Sequence, residues 1–134
     1  MPLVADTTVL IDLWRLRREP ARLADLRAKL VEPALPLPVV FEFARGAAFR
    51  GVTREKLDNF LTGFVFLVPD YDEIFRAANL DAELRRQGWE IGSADVWIAA
   101  TALTRGLPVL TANLGHFTRV DGLEVIGYKI HPQS

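Results

Sequence analysis

The chain has 134 residues, 50% of them hydrophobic and 25% charged, which predicts one folded domain, residues 1–134, whose core needs no disulfide bonds. It contains no cysteine, so disulfides, thiolate zinc sites and cysteine nucleophiles are excluded, and the composition fits a reducing, cytoplasmic environment. The formal net charge of −1 excludes a bulk polycation, so any nucleic-acid partner would meet a local basic patch, or acidic groups neutralised by metal ions.

The first half of the chain predicts short strands that alternate with amphipathic helices. In chain order these are a strand at 3–5, a helix capped by Asp6 and the two threonines after it, a helix opened by Pro20, a strand at 35–37, a helix that starts at Pro38 or Val39 and runs towards Gly46 or Gly51, and a helix from Thr53. The caps and the helix-opening proline are the residue types that favour helix N-termini.

The second half continues the same alternation. It predicts a strand at 65–68, a helix at about 72–87, a helix that carries Asp95 and ends at Arg105 and Gly106, and strands at 107–111 and 123–126, with a frayed tail at 131–134. The pattern indicates an α/β fold with a central, mostly parallel sheet flanked by helices. No signal peptide precedes Asp6 and no apolar stretch is long enough to span a bilayer, so no membrane association is expected.

Polar side chains from four separate regions are predicted to meet at one edge of this sheet. Asp6 follows the first strand, Asn113 follows a later strand, Asp95 begins a helix of small and apolar residues, and Glu42 lies in the first turns of its helix. Sites in open parallel sheets lie at the carboxyl ends of the strands, so these groups can converge there.

Acids placed beside apolar segments need compensation if they become buried. Two carboxylates about 4 Å apart repel by about 4 kcal/mol at an effective dielectric constant of about 20, and three would raise one another's pKa or recruit cations. Oxygen ligands without cysteine or paired histidines favour Mg²⁺ or Mn²⁺ over zinc. Such an ion activates water and polarises a phosphodiester, so the residues indicate metal-assisted phosphodiester hydrolysis.

Four motifs carry a more specific signal. They are VADTTVLID at 4–12, FEFARG at 41–46, IGSADVWIAATAL at 91–103 and LTANLGHFTRVDGL at 110–123. In this order and spacing they closely resemble the PIN-domain ribonucleases, in particular the VapC-type toxins of bacterial toxin–antitoxin pairs, and the resemblance spans nearly the whole chain.

The resemblance implies a three-layer PIN-like α/β domain that is an Mg²⁺- or Mn²⁺-dependent endoribonuclease, with Asp6, Glu42 and Asp95 as the shared acids that bind the metal. It also implies an RNA substrate, a homodimer, and a VapB-type antitoxin whose carboxyl-terminal segment would block the site. The position of Asn113 is aspartate in many family members. Asn113 can orient a ligand water through its amide but carries no charge, so a second metal position stays open.

Each site residue also has a simpler structural interpretation. Asp6 can serve only as a helix N-cap, Glu42 can pair with Arg45, Asp95 can be a cap in competition with Ser93, and Asn113 can be a turn residue.

Other polar and aromatic residues are assigned structural roles. Asp12 is expected on a solvated helix face, and His116 and His131, which lack a spaced partner, are expected to be neither ligands nor bases. The tryptophans are expected in the core or an interface, and Phe60, Phe64 and Phe66 in the core or a dimer seam. The arginines at 15–18 are expected to be solvated, although Arg15, Arg18, Arg45 and Arg119 could steer RNA phosphates instead.

Two other functions compete with the nuclease. A haloacid-type phosphatase also places an aspartate after its first strand, but it usually has a second acid two residues later, where this chain has Thr8. A catalytically inactive PIN-like module that binds RNA or protein is favoured only by the neutral Asn113.

Overall fold

The fold is built on a five-stranded parallel sheet. The computed structural model describes residues 2–130, so the tail predicted at 131–134, with His131, lies outside the described residues. The strands are β1 (Leu3–Ala5), β2 (Pro33–Pro36), β3 (Val65–Leu67), β4 (Val109–Thr111) and β5 (Val125–Gly127). Every pairing between them is parallel, so the predicted mostly parallel sheet is confirmed and contains no antiparallel strand in the described part of the chain.

The helices lie between the strands and cover the sheet. They are α1 (Thr7–Arg15), α2 (Pro20–Arg27), α3 (Leu37–Phe49), α4 (Arg54–Leu61), α5 (Tyr71–Arg86) and α6 (Ser93–Arg105), with a 3₁₀ turn at Leu114–His116. α6 ends at Gly106, whose φ of 65° is the left-handed conformation that glycine favours at a helix end. Within residues 2–130, no helix has both the length and the apolar character that a membrane crossing requires.

The strand order decides where a site can form. From one edge to the other it runs β3-β2-β1-β4-β5, so the chain first proceeds to one side of β1 and then returns to the other side at β4. This reversal opens a crevice outside the carboxyl ends of β1 and β4, the usual position of sites in open α/β sheets. Because α6 leads directly into β4, the amino terminus of α6 lies at the same edge.

The central strands and α6 form the core. All residues of β1 and β4 are buried, and the small residues Ala99 and Ala102 let α6 lie close to the sheet. The core also contains two buried carboxylates, those of Asp6 and Glu73, each 3% exposed.

Several predicted boundaries are shifted in the structure. β2 includes Pro36, which pairs with Leu67, so α3 begins at Leu37 rather than at Pro38 or Val39. β5 starts at Val125 and extends to Gly127 because that segment aligns with β4. Phe60 and Phe64 pack against the core as predicted, whereas Phe66, on the edge strand β3, is 46% exposed.

Candidate active site

Asp6 lies at the carboxyl end of β1 and caps α1. Its Oδ1 accepts hydrogen bonds from the hydroxyl of Thr8 at 2.5 Å and from the amide of Val9 at 3.4 Å, and its Oδ2 accepts one from the hydroxyl of Thr111 at 2.5 Å. The cap interpretation is therefore correct, and it is compatible with metal binding because each carboxylate oxygen has further lone pairs.

The charge of Asp6 is not compensated by any cation in the described chain. Burial raises the pKa of Asp6 above its ordinary value, the hydroxyls of Thr111 and Thr8 and the amide of Val9 oppose this change, and repulsion from Asp95 adds to it. The net direction is upward. Asp6 and Asp95 are therefore close enough for their charges to interact, as the sequence predicted.

Asp95 lies in the first turn of α6, whose N-cap is Gly92, so Ser93 is the first helical residue and not the cap. Freed from capping, the Asp95 carboxylate has its Oδ2 2.6 Å from Nδ1 of His116. The sequence showed no spaced partner for His116, but the 3₁₀ turn after β4 brings it to Asp95 across 21 residues of sequence. That His116 is neither a ligand nor a base stays a prediction. If Asp95 is ionised, Nδ1–H of His116 must donate, because a carboxylate only accepts.

Glu42 lies in the middle of α3 and is half-buried. Its Oε1 accepts a hydrogen bond at 3.2 Å from the hydroxyl of Thr7, the residue that follows Asp6. The alternative pairing with Arg45 is not seen, since Arg45 lies over the ring of Phe41 at 5.3 Å. Within residues 2–130, no three acidic or histidine side chains are arranged closely enough to hold one metal ion, so the predicted cluster of three acids is not formed in this structure. Asp6 interacts with Asp95, whereas Glu42 is bound by Thr7.

Asn113 follows β4 at the same edge and is exposed. Its backbone amide donates to the hydroxyl of Thr111 at 2.8 Å, and that hydroxyl donates to Asp6, so the backbone turn at Asn113 supports the buried acid indirectly. Its side chain makes no hydrogen bond to the described residues, which leaves its amide available to solvent or ligand.

A second buried network lies beside this edge, and sequence reasoning missed it. The hydroxyl of Tyr128, just after β5, donates to Oδ2 of Asp12 on α1 at 2.8 Å. Burial and the hydrogen bond to Asp12 raise the pKa of Tyr128, while a hydrogen bond with Thr8 opposes this. Asp12 is therefore not a free solvated residue. Its spacing of four from Thr8, which puts both on one face of α1, was the available signal.

The donor set fits a hard divalent cation. Carboxylate, hydroxyl and amide oxygens line the edge, with no cysteine available, and such ligands suit Mg²⁺ or Mn²⁺. A buried acid that its own structure leaves without a cation, and that a second acid repels, would be stabilised by such an ion.

Known proteins share this architecture and these motifs. Residues 3–123 match the model of the PIN domain family. The chain is 30% identical over 129 residues to ribonuclease VapC1 of Methanocaldococcus jannaschii, covering 96% of this chain and 86% of that protein. It is 31% identical over 134 residues to VapC ribonuclease Y4jK of Sinorhizobium fredii, covering 92% and 95%.

Solved structures agree with this result. The crystal structure of DNA-bound VapBC from Salmonella typhimurium aligns with a TM-score of 0.79 and 25% identity, covering 95% of this chain and 98% of the matched chain. Both the sequence match and the parallel sheet place the protein in one family. The chain belongs to the PIN-domain family, among the VapC ribonucleases.

Proposed function

We propose that this protein is a divalent-metal-dependent endoribonuclease and the toxin of a VapBC-type toxin–antitoxin pair. One observation carries the metal dependence: the buried Asp6 carboxylate has no cation partner among residues 2–130 and is repelled by Asp95. Burial of an uncompensated acid costs stability, and a bound divalent ion would remove that cost.

Asp6 and Asp95 would be the principal ligands of the metal. Glu42 would complete the set directly or through a water, and Asn113 would hold a water or support a second ion with its amide. When bound, Mg²⁺ or Mn²⁺ supplies a Lewis acid that activates water and stabilises charge on the phosphate. The threonines fix Asp6 through its two oxygens, and His116 holds one oxygen of Asp95, so both acids are oriented before substrate arrives.

The substrate and the partner are inferred from the relatives. Two proteins that are similar over most of this chain are named ribonucleases, and the Salmonella structure is a VapBC complex bound to DNA. By this likeness, RNA is the substrate here and a VapB-type antitoxin is the partner. We place the protein in the cytoplasm, where its RNA substrate and its antitoxin would both be present.

A homodimer is supported by the apolar surface. Large apolar side chains are exposed on α3, on the edge strand β3 and just after it, and on the first turns of α5: Leu37, Phe41, Phe49, Val65, Phe66, Val68, Tyr71, Ile74 and Phe75. An open sheet edge flanked by exposed aromatic residues is typical of an interface, and a second copy is the commonest occupant in soluble proteins. Replacing Phe75 by Glu should halve the mass measured by light scattering, whereas a dimer of unchanged mass would count against this surface.

The decisive experiment is cleavage of total cellular RNA by the purified protein with Mg²⁺, with Mn²⁺ and with EDTA. Discrete fragments that need metal, and that disappear in Asp6→Asn and Asp95→Asn variants, would support the proposal. If the wild-type protein is folded, free of antitoxin and still inactive, the result would favour a PIN-like module that binds RNA or protein without cleaving it. The neutral side chain of Asn113 is the feature that favours this alternative.

A further inference from the structure

Two adjoining cavities form a groove that leads away from the acids. The first has a volume of about 100 Å³ and is lined by Thr7 and Glu42 of the candidate site. The second has a volume of about 470 Å³. Trp14, Arg50 and Val52 line both cavities, so the second cavity lies next to the one that Glu42 lines.

The second cavity, which we call the cationic basin, is lined by four cations and no acid: Arg17, Arg18, Arg50 and Lys56. Within residues 2–130, none of the four forms an ion pair; Arg17 alone has a fixed partner, donating to the carbonyl of Trp14 at 2.8 Å. In a chain of net charge −1, such a group is a local concentration of positive charge rather than a consequence of composition.

Helix electrostatics favour Arg17 and Arg18, which follow the carboxyl terminus of α1, but they do not account for the whole cluster. Arg50 at the carboxyl terminus of α3 would complement the helix dipole, but Lys56 lies in the first turn of α4, where a cation is unfavourable. The neighbouring cation Arg54 is instead neutralised by Asp58 at 2.8 Å. The four cations of the basin therefore have no ion-pair partner within residues 2–130, whereas the neighbouring Arg54 has one.

The basin is suited to phosphates rather than to bases. Trp14 is the aromatic residue that lines it, and the guanidinium of Arg17 lies over its ring at 4.4 Å while Phe60 packs edge-on at 5.4 Å. Its ring is therefore occupied and offers little surface for stacking. Two of the arginines considered as RNA contacts from sequence are likewise held by rings, Arg45 by Phe41 and Arg119 by Trp89 at 4.3 Å. Arg18 is the one that lines the basin.

We propose that the cationic basin is a phosphate-binding exosite that holds the RNA strand on one side of the phosphodiester to be cleaved. This inference rests on the proposed function, because it takes the acids at the other end of the groove as the cleavage site. A strand bound there runs past Glu42 and carries phosphates that need cations outside the acidic centre. Arginine forks match phosphate oxygens in pairs, and binding to the backbone makes the exosite independent of base sequence.

The test compares RNA binding by the wild type and an Arg18→Gln, Arg50→Gln, Lys56→Gln variant, measured by fluorescence anisotropy in EDTA so that no cleavage occurs. The probe is a labelled single-stranded RNA of mixed sequence, about 20 nucleotides long, which exceeds the footprint of a single small domain. All three residues are exposed, so folding should be unchanged. A control variant carries Arg27→Gln, Arg76→Gln and Arg86→Gln, three exposed cations outside the groove.

The salt dependence of binding gives the sharpest readout. Each single-strand phosphate contact contributes about 0.7 to the slope of log affinity against log salt, so losing three contacts should reduce the slope by about 2. The wild type's advantage over the variant should then shrink about 20-fold between about 50 and about 200 mM salt. The control should keep the wild-type slope.

Three results would overturn the exosite: an unchanged slope in the basin variant, an equal loss in the control, or competition by poly-glutamate as strong as competition by unlabelled RNA. The last would assign the basin to acidic peptides. Failure of the exosite is distinguishable from failure of the proposed function. Wild-type cleavage of total RNA with an unchanged salt slope in the basin variant rejects the exosite alone. A reduced slope in the basin variant, together with no metal-dependent cleavage by the wild type, rejects the nuclease and with it the role of the basin beside a cleavage site, although the basin would still bind phosphates.

Discussion

Two carboxylates are equally buried in this protein, and they differ in the donors that bind them. Both oxygens of Asp6 accept hydrogen bonds, whereas Oε2 of Glu73 has no hydrogen-bond partner within residues 2–130. Glu73 on α5 is bound by Arg105 of α6, whose Nε and Nη2 both lie 2.9 Å from Oε1, and the same guanidinium also donates to the carbonyl of Val68. Asp6 is bound only by neutral donors, two hydroxyls and an amide. Each acid is 3% exposed.

The comparison separates a structural acid from a functional one. The charge of Glu73 is neutralised by the chain itself, and the pair joins the two helices that pack against each other most extensively. The charge of Asp6 is oriented but not neutralised, and a second acid lies near enough to raise its pKa. A protein that keeps an uncompensated buried acid gives up stability at that point, which is expected where a cation binds during function.

The largest expected effect is the loss of RNA cleavage when Asp6, the acid without a cation, is replaced. Asp6→Asn should lower metal-dependent RNA cleavage by about 1,000-fold or more, because the loss of one ligand removes several kcal/mol of transition-state stabilisation. Glu73→Gln, which alters the other buried acid, should cleave RNA at the wild-type rate per folded molecule. Cleavage rates on the same RNA measure both variants, and an active Asp6→Asn protein would refute the assignment.

The next effect concerns the structural acid. Arg105→Met leaves Glu73 buried without a cation and should lower the free energy of unfolding by about 2–3 kcal/mol, less than for a fully buried pair because Arg105 is 33% exposed. The matched control is Arg54→Met, which removes an exposed pair with Asp58 and should change stability by less than about 1 kcal/mol. Urea unfolding measures both. Equal losses would mean that burial does not distinguish the two pairs.

His116 sharpens the comparison by testing how Asp95 is held. His116→Ala should weaken Mn²⁺ binding by about 10-fold or more, since residues that orient metal ligands typically have this effect. His116→Asn should restore much of the affinity, because its amide can donate from nearly the same position as Nδ1. Calorimetric titration with Mn²⁺ provides the readout, and equal affinities in all three proteins would show that the contact with Asp95 has no role in binding.

The contact between Tyr128 and Asp12 should have a smaller effect. Tyr128→Phe removes one buried hydroxyl and its hydrogen bond, and should lower the free energy of unfolding by about 1 kcal/mol. Tyr71→Phe is the control, because Tyr71 is 74% exposed and its hydroxyl is solvated. A stability change in the control as large as that in Tyr128→Phe would contradict a specific role for the Asp12 contact.

The pH dependence of stability should show the smallest effect. The pKa of Asp6 is raised in the folded state, so its contribution to stability is fully present below its ordinary value of 3.8 and is lost as pH rises through the folded value. In EDTA, Asp6→Asn should therefore be more stable than the wild type at neutral pH, with a gap that narrows in acid. Urea unfolding at neutral pH and in acid measures the difference in unfolding free energy between the two proteins. A wild type that is more stable than Asp6→Asn at neutral pH would contradict the prediction.

The sequence by itself determined the α/β alternation, because periodic apolar residues, caps and a closing glycine specify helices and short buried strands locally. Asp6, Glu42, Asp95 and Asn113 were predicted as site residues on the same local grounds, because each lies at a strand end or in a helix of recognisable pattern, and their roles stay predictions. The departures at Leu37 and Val125 are boundary shifts of one to two residues, where pairing with a neighbouring strand, rather than local propensity, decided the end.

The tertiary structure alone decided which side chains meet across long separations in sequence. His116 reaches Asp95, Tyr128 reaches Asp12 and Arg105 reaches Glu73 because strand order and helix packing bring their elements together, and no local pattern encodes those distances. The same holds for the basin, where cations from three helix ends gather. Local sequence fixes which groups each element carries, whereas packing determines which of their charges are neutralised and which remain available.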